Sequence, residues 1–443
     1  MTAGLAGCAT YVPRPLDPAR LADALAPPTA TELTDAAGRL AHPRLAPIAL
    51  DFSKPLSARA LGVIAVLVNP ELKALRQQEK VAQAQVFAAG LLPDPQISGG
   101  LAFPAGAPAG VTGLVEAYNA SVNWAVAALV TRPARIRVAR AQAEQVRNDI
   151  AWREWLVAGQ ARLLARRVGY LTLQETTARE AATVAGQLLD VTRGNLERGD
   201  ATIAEFGLRQ AAYLDAQDRA LALGRQLETG RQELNRILGL GPAQPVAVAP
   251  PRVAMAPLPS APAGLFDRAQ TARLDLAALR AGYASQEARV HRAVLGQYPA
   301  LNLGVGRARD TGGVVTIGFS VALDLPILDR NRGVIAVAEA TRDQLWAEYA
   351  NRLHQTRADI ARLDADLRQI AREHAALARE LPGLVRAERT LRGALATHDV
   401  TFLEYEAVRA GVLDKELKRL SLEQAAGEQQ VALEMAVGQP LAP

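Results

Sequence analysis

The spacing of apolar positions changes period at two matching places along this chain. Tyr118, Ala120, Val122, Trp124 and Val126 alternate with Ala117, Asn119, Ser121 and Asn123. Farther on, Val315, Ile317, Phe319, Val321, Leu323 and Leu325 alternate with Thr316, Gly318, Ser320, Ala322 and Asp324. A period of two, with one apolar face and one small polar face, predicts a strand in each place. Shorter alternating runs precede them, Ile97-Gly99-Leu101-Phe103 and Leu301-Leu303-Val305. Pro/Gly-rich material separates the first pair and Asp310-Thr311-Gly312-Gly313 the second, so each pair predicts a β-hairpin, over about 96–127 and 300–326.

After each hairpin the period becomes helical and stays so for an unusual length. Between Pro133, suited to the first turn of a helix, and Pro242 there is no proline, and Arg198-Gly199-Asp200 is the one plausible break. At about 1.5 Å per residue the leading helix of that pair should reach on the order of 100 Å, with a second helix returning part of the way. The later long segment follows the same plan, with a kink or short break expected at Pro382-Gly383. Shorter helices are expected before each hairpin, roughly Glu71 to Leu91 and Asp275 to Leu295.

The parallel has a simple origin: residues 131–239 lie over 330–438 with a constant offset of 199 (399 − 200, Asp200 on Asp399). Thr202 meets Thr401, Glu205-Phe206 meets Glu404-Tyr405, and Leu238-Gly239 meets Val437-Gly438. Upstream the offset is 204 (275 − 71), with Glu71-Leu72 on Asp275-Leu276 and Pro95 on Pro299, so the joining segment is five residues longer (204 − 199) in the first copy. Two long units argue against a solenoid, whose repeats run to about 20 to 50 residues. The organisation expected is an N-terminal segment and extended arm (1–55), a first repeat (56–241), a Pro/Ala-rich connector (242–264) and a second repeat (265–443).

Composition sharpens the class. Hydrophobic residues make up 49% and aromatics only 4%, which with the abundance of Ala and Leu favours long helices over a β-sandwich. A net charge of +5 raises the question of nucleic acid, but the arginines alternate with acids along helical faces and few aromatics are available for stacking, so no nucleic-acid partner is expected. The four strands cannot close a membrane barrel alone, because spanning barrels need about eight strands or more and an open edge in lipid leaves backbone groups unsatisfied. Three chains would supply twelve strands (3 × 4) and a pseudo-sixfold tube continued by helices. A small soluble sheet packed on helices accounts for the same alternation, and the pattern by itself leaves both open.

The N-terminus bears on that choice. Leu5-Ala6-Gly7-Cys8 has the form of a bacterial lipobox, in which the Cys becomes lipidated, and Cys8 is the single cysteine of the chain. Seven residues are too few for a signal peptide, so the true start is expected upstream; an incidental surface cysteine is the plainer alternative.

Together these residues resemble the TolC-like outer-membrane factors, the exit ducts of tripartite efflux pumps and type I secretion systems. The resemblance covers about Leu56 to Gly438 and rests on Asn69-Pro70-Glu71-Leu72, the Leu92-Pro93-Asp94-Pro95 lead into the first strand, and the paired turns between the long helices. The run Leu325-Pro326-Ile327-Leu328-Asp329-Arg330-Asn331-Arg332-Gly333 is similar to the strand-to-helix junction of the heavy-metal efflux branch. The resemblance implies a mainly α protein with a transmembrane β-barrel portion, an outer-membrane homotrimer lipid-anchored at Cys8, with a twelve-stranded barrel and a periplasmic α-helical tunnel. It implies passive conduction, with a periplasmic adaptor and an inner-membrane resistance-nodulation-division transporter as partners. Heavy-metal cations or small toxic compounds are the implied substrates. A type I secretion duct of the same fold and a soluble coiled-coil scaffold are the competing functions.

The resemblance also assigns residues. The turns Gly199-Asp200-Thr202 and His398-Asp399-Thr401 would form the tip that meets the adaptor, with His398 departing from the usual Gly. Glu404, with Glu205 as its equivalent, would ring and constrict the pore. Carboxylates crowded on an axis repel, raise one another's pKa and attract cations. A common ion pair on a solvated face is the bland account of the same residue.

Other chemistry finds little support. The five histidines, His42, His291, His354, His374 and His398, are scattered without the spacing of a ligand set, so no tightly held metal and no cofactor is expected. Gly304-Val305-Gly306 lacks the third glycine of a nucleotide fingerprint, and no P-loop or nucleophile elbow is present, which argues against an enzyme. Trp124 is expected at a membrane interface and Trp152, Trp155 and Trp346 in helix packing.

Overall fold

A computed structural model describes residues 10–441 apart from 107–109, 111, 242–243, 245 and 252–260. Cys8 and most of the connector lie outside the described residues. The arm expected to be extended carries two short helices, α1 (Pro18–Leu25) and α2 (Ala30–Gly38). The second starts at a capping box in which Thr29 and Glu32 satisfy each other's backbone N–H groups, a local signal strong enough to start a helix.

The first repeat then runs α3 (Ala58–Val68), α4 (Pro70–Gly90), β1 (Gln96–Ala102), β2 (Ala117–Ala125), α5 (Ala127–Arg198) and α6 (Ile203–Ile237). The second runs α7 (Pro262–Ala272), α8 (Leu274–Leu295), β3 (Ala300–Arg309), β4 (Val315–Asp324), α9 (Arg332–Ala396) and α10 (Phe402–Val437). The short helix pair α3 and α7 keeps the offset of 204 (262 − 58), so the duplication reaches back to residue 58.

One expectation about proline needs correction and another is narrowed. α5 begins at Ala127, directly on the end of β2, and Pro133 lies inside it rather than in its first turn. α9 continues through Pro382 as one helix of 65 residues, with no break. Both Pro382 and Ala378, whose carbonyl the proline leaves unbonded, are exposed, so water can satisfy that oxygen.

The main core lies where α3 lodges against α5 and α6. Leu61, Ile64, Ala65 and Val66 of α3 are buried against Ala158, Ala161, Ala165 and Val168 of α5, at helical spacing, and against Leu234 and Ile237 of α6. Small residues on α5 let the helices approach closely. Asn69 ties the corner: its Oδ1 accepts from the Leu72 N–H at 3.1 Å and its Nδ2 donates to the Ile237 carbonyl at 3.0 Å. In the second repeat a smaller core joins Leu265 and Ala269 of α7 to Ile360 and Leu363 of α9 and Leu433 and Val437 of α10.

The repeats meet along α5 and α10 through polar bonds as well as packing. Arg167 makes a two-pronged bond to Glu428 at 2.9 and 3.0 Å, Arg166 donates to the Gly427 carbonyl at 2.8 Å, and Arg162 pairs with Glu434. The arm adds a second tie. His42 is buried against α5, its Nε2 bonding the Ala151 carbonyl at 3.0 Å, while Arg44 donates to the α7 carbonyls of Ala272 and Thr271 at 2.9 and 3.2 Å.

The hairpins do not stand apart. β2 pairs with β3, so all four strands form one antiparallel sheet in the order β1-β2-β3-β4. Both hairpin loops lie at one end of that sheet and all four junctions with helices at the other.

Candidate functional site

Two regions gather the features that could do work: the exposed sheet and the far turns of the long helices. The register aligns Ile97, Val122, Val305 and Phe319 in one cross-strand row, and Trp124, Leu303 and Val321 in another. This apolar face is open: Ile317 is 74% and Phe319 89% exposed. The opposite face carries Ser98, Asn119, Ser121, Asn123, Asn302 and Ser320 with interspersed glycines. Packing is so tight there that a Cβ on Gly304 would lie 2.2 Å from Asn123 Oδ1. Among the described residues, β1 and β4 each have one unpaired edge. An open apolar sheet with two free edges is an incomplete structure in either water or lipid.

Trp124 sits at the helix end of the sheet, its indole N–H donating to the Pro93 carbonyl at 2.8 Å. Of the other tryptophans, Trp155 is buried in helix packing and Trp152 lies under the Arg273 guanidinium at 4.7 Å. Trp346 is not buried in helix packing as expected. It is 63% exposed on α9, the helix that also exposes Val334 and Val337, while α6 exposes Ile203, Leu208 and Leu221.

At the far end the two tips are built alike. Gly199 has φ 80°, and the N–H groups of Gly199 and Asp200 close α5 by bonding the carbonyls of Leu196 and Asn195. His398 takes the same left-handed conformation at φ 62°, and His398 and Asp399 bond Leu395 and Ala394 in the same pattern. The departure from glycine therefore changes the cost of the turn and not its shape. Thr202 and Thr401 then cap α6 and α10. Asp200 lies 3.5 Å from Arg198, and Asp399 accepts from the Thr397 hydroxyl.

Glu205 and Glu404 complete these caps. Glu404 Oε2 accepts from the Thr401 N–H and hydroxyl, both at 2.8 Å, and Glu205 does the same for Thr202 at 2.7 and 3.0 Å. The backbone and side-chain bonds of their threonines hold both carboxyls below the ordinary range. Within one chain each is a capping group, which neither the pore assignment nor the ion-pair account had foreseen.

Sequence reasoning missed a difference between the copies just behind the tips. In the second copy the Tyr405 hydroxyl donates to Glu388 Oε1 at 2.9 Å, Arg392 Nη2 donates to the same oxygen at 2.6 Å, and Arg392 Nε donates to the Tyr405 oxygen at 3.2 Å. Burial pushes the Glu388 carboxyl up, but the bonds from Arg392 and Tyr405 outweigh it and hold the group below its usual range. The equivalent first-copy residues are Leu189, Arg193 and Phe206, with Arg193 over the Phe206 ring at 5.8 Å. Two changes at one offset, Leu to Glu and Phe to Tyr, were the available signal. One residue on, Glu406 is buried and bonded to Arg409 at 3.2 Å, and Arg409 reaches Glu180 of α5 at 2.9 Å. Beside these pairs a groove of about 390 Å³ runs between α5, α6 and α10, lined by Ala181, Ala185, Ala212, Ala216, Ala407 and Ala410.

No family model matches the sequence, and no curated protein matches it. Solved structures do match in fold. The outer-membrane channel OprN superposes with a TM-score of 0.71 at 16% identity, over 87% of this chain and 91% of that one. The outer membrane protein VceC from Vibrio cholerae gives 0.67 at 16% identity, covering 87% and 97%. CusC, described in terms of folding and transmembrane channel formation, gives 0.66 at 15% identity, covering 86% and 92%. The chain therefore has the fold of TolC-type outer membrane channels.

Proposed function

We propose that this chain is one third of an outer-membrane duct, a homotrimer that passively conducts substrates from the periplasm to the exterior as part of a tripartite efflux pump. The observation that carries this is the open four-stranded sheet, with an exposed apolar face and two free edges, joined to helices of 72 and 65 residues. Among the described residues no helix is long and apolar enough to cross a membrane, so insertion falls to the sheet. Pairing β4 of one copy with β1 of the next satisfies both edges and turns the apolar face to lipid and the small polar face to a lumen. The exposed apolar residues of α6 and α9, Trp346 included, give neighbouring copies a seam. Cys8 is the anchor in this reading.

The tips at Gly199, Asp200, Thr202, His398, Asp399 and Thr401, with the alanine-lined groove behind them, are the surface for a periplasmic adaptor that links the duct to an inner-membrane resistance-nodulation-division transporter. Glu404, and less directly Glu205, would bring carboxylates toward the axis and favour cations. The similarity in sequence of the Leu325–Gly333 junction to that of the heavy-metal efflux branch favours heavy-metal cations or small toxic compounds as cargo.

The deciding experiment is fractionation of the protein expressed in a bacterium with an outer membrane, followed by light scattering of the detergent extract. An outer-membrane particle holding three copies of the 47.0 kDa chain is expected. A soluble monomer would overturn the duct. Given the trimer, Glu404→Ala should raise conductance or weaken cation block in planar bilayers, and unchanged traces would remove Glu404 from the pore.

A further inference from the structure

The sheet's apolar face is interrupted at one place by charge. Arg307 and Arg309 follow Leu303 and Val305 on β3, and the pleat puts all four on the same face. Their cross-strand neighbours on that face are Ala120 and Ile317 for Arg307, and Tyr118 and Val315 for Arg309. Arg307 is exposed and Arg309 half-buried, and among the described residues neither has an acidic side chain within ion-pair distance. The nearest acid in sequence, Asp310, is committed to its own turn, its Oδ1 accepting from the N–H groups of Gly312 and Val314 at 2.9 and 3.0 Å.

Two cations on a lipid-facing surface are costly at mid-depth and inexpensive at the rim, where they reach an anionic headgroup. Their place in the sheet agrees: Arg309 is the last residue of β3, at the hairpin-loop end opposite the helices, and Arg307 lies two residues inside it. Because β3 is flanked by β2 and β4 within one chain, closing a barrel between chains leaves its outer face uncovered.

Directly beside Arg307 the face is hollow. Gly99 and Ala120 supply little bulk in its row, and a depression of about 240 Å³ is lined by Ile97, Ala120, Val122, Val305, Arg307 and Ile317. An apolar depression bordered by the Arg307 guanidinium, with Arg309 two residues farther along the strand, suits an amphiphile, with acyl chain in the hollow and phosphate at the rim.

We infer that Arg307 and Arg309, with the hollow beside them, form a seat for a phosphorylated glycolipid of the outer leaflet, its phosphate held by the two guanidiniums and one acyl chain lying against Val122 and Val305. The inference rests on the duct reading, which places the loop end of the sheet at the outer leaflet.

The test is native mass spectrometry of the detergent-extracted protein titrated separately with bisphosphorylated lipid A, dephosphorylated lipid A, phosphatidylglycerol and inorganic phosphate. Wild type should bind bisphosphorylated lipid A roughly thirtyfold more tightly than the dephosphorylated form, as two basic residues facing an anionic surface predict. Arg307→Ala/Arg309→Ala should lose that preference, and Arg307→Lys/Arg309→Lys should keep most of it. If the alanine pair fails to assemble, the wild-type preference and the lysine pair decide. A trimer indifferent to the phosphates, or one binding phosphatidylglycerol or inorganic phosphate equally well, overturns the seat alone. A soluble monomer overturns the seat and the duct together.

Discussion

The hydroxyl of Tyr405 donates to the buried carboxylate of Glu388 at 2.9 Å across the turn that joins α9 to α10. At the same offset in the first copy, Phe206 and Leu189 stand where no such bond can form. One tip is thus locked by a charged hydrogen-bonded triad and the other by an arginine over a ring. Tyr405→Phe should destabilise the second tip by about 1 to 2 kcal/mol, the cost of leaving a buried acceptor with one partner fewer. Hydrogen exchange should speed up over 385–410 and stay unchanged over 186–211; equal protection in mutant and wild type would rule out the lock.

The same triad sets a pH response. Glu388 is held below its ordinary pKa, so the folded state binds fewer protons there than the unfolded state. Its stabilisation is fully present above the unfolded carboxylate value of about 4.3 and is lost as pH falls through the lower folded value. Acid titration of Glu388→Gln should show a shallower loss of tip protection below pH 4 to 5 than wild type. Parallel curves would assign the acid sensitivity elsewhere.

His42 makes an opposite demand on charge. Its Nδ1 accepts from the N–H groups of Arg44 and Leu45 at 3.0 and 3.1 Å, which requires the neutral ring with the proton on Nε2. Burial lowers its pKa, only partly countered by the Ala151 carbonyl and by Glu154 at 3.6 Å. A depressed histidine stabilises the arm above its unfolded pKa of about 6.5, and that contribution fades as pH drops toward the folded value. Limited proteolysis of residues 29–50 should therefore accelerate between pH 7 and 5, and His42→Gln should flatten the response.

His398 pays for a conformation that glycine adopts freely. Left-handed backbone costs a non-glycine residue roughly 1 kcal/mol, so His398→Gly should stabilise the second hairpin by about that amount. The converse change, Gly199→Val, should destabilise the first by more and, in the proposed duct, should reduce crosslinking to the proposed adaptor while sparing membrane insertion. Calorimetry on the His398→Gly variant showing no gain would mean that the side chain makes compensating contacts.

The caps offer a matched pair. Thr202→Ala and Thr401→Ala should each cost about 1 kcal/mol and fray the first turn of α6 or α10. Because Glu205 and Glu404 lose a bonding partner at the same time, both carboxyls should titrate closer to the ordinary value, measurable by carbon-detected NMR of labelled glutamate.

What the sequence determined is what depends on near neighbours and on the internal copy. Period-two runs placed all four strands, a proline-free stretch foretold the length of α5, and Gly199 marked its end, because alternation, helical phase and positive φ are local properties. Even the second tip followed, since Asp399 and Thr401 repeat Asp200 and Thr202. At Pro382 the helix does not break, because solvent on the exposed side of α9 makes a proline tolerable. Tertiary structure alone decided that β2 pairs with β3 to merge two hairpins into one sheet, and that His42 lands on Ala151, 109 residues away. It also decided that Tyr405 finds Glu388 rather than water. Those outcomes depend on which helix faces meet, and that is set by the summed burial of many side chains across α3, α5, α6 and α10, a quantity no short window of sequence contains.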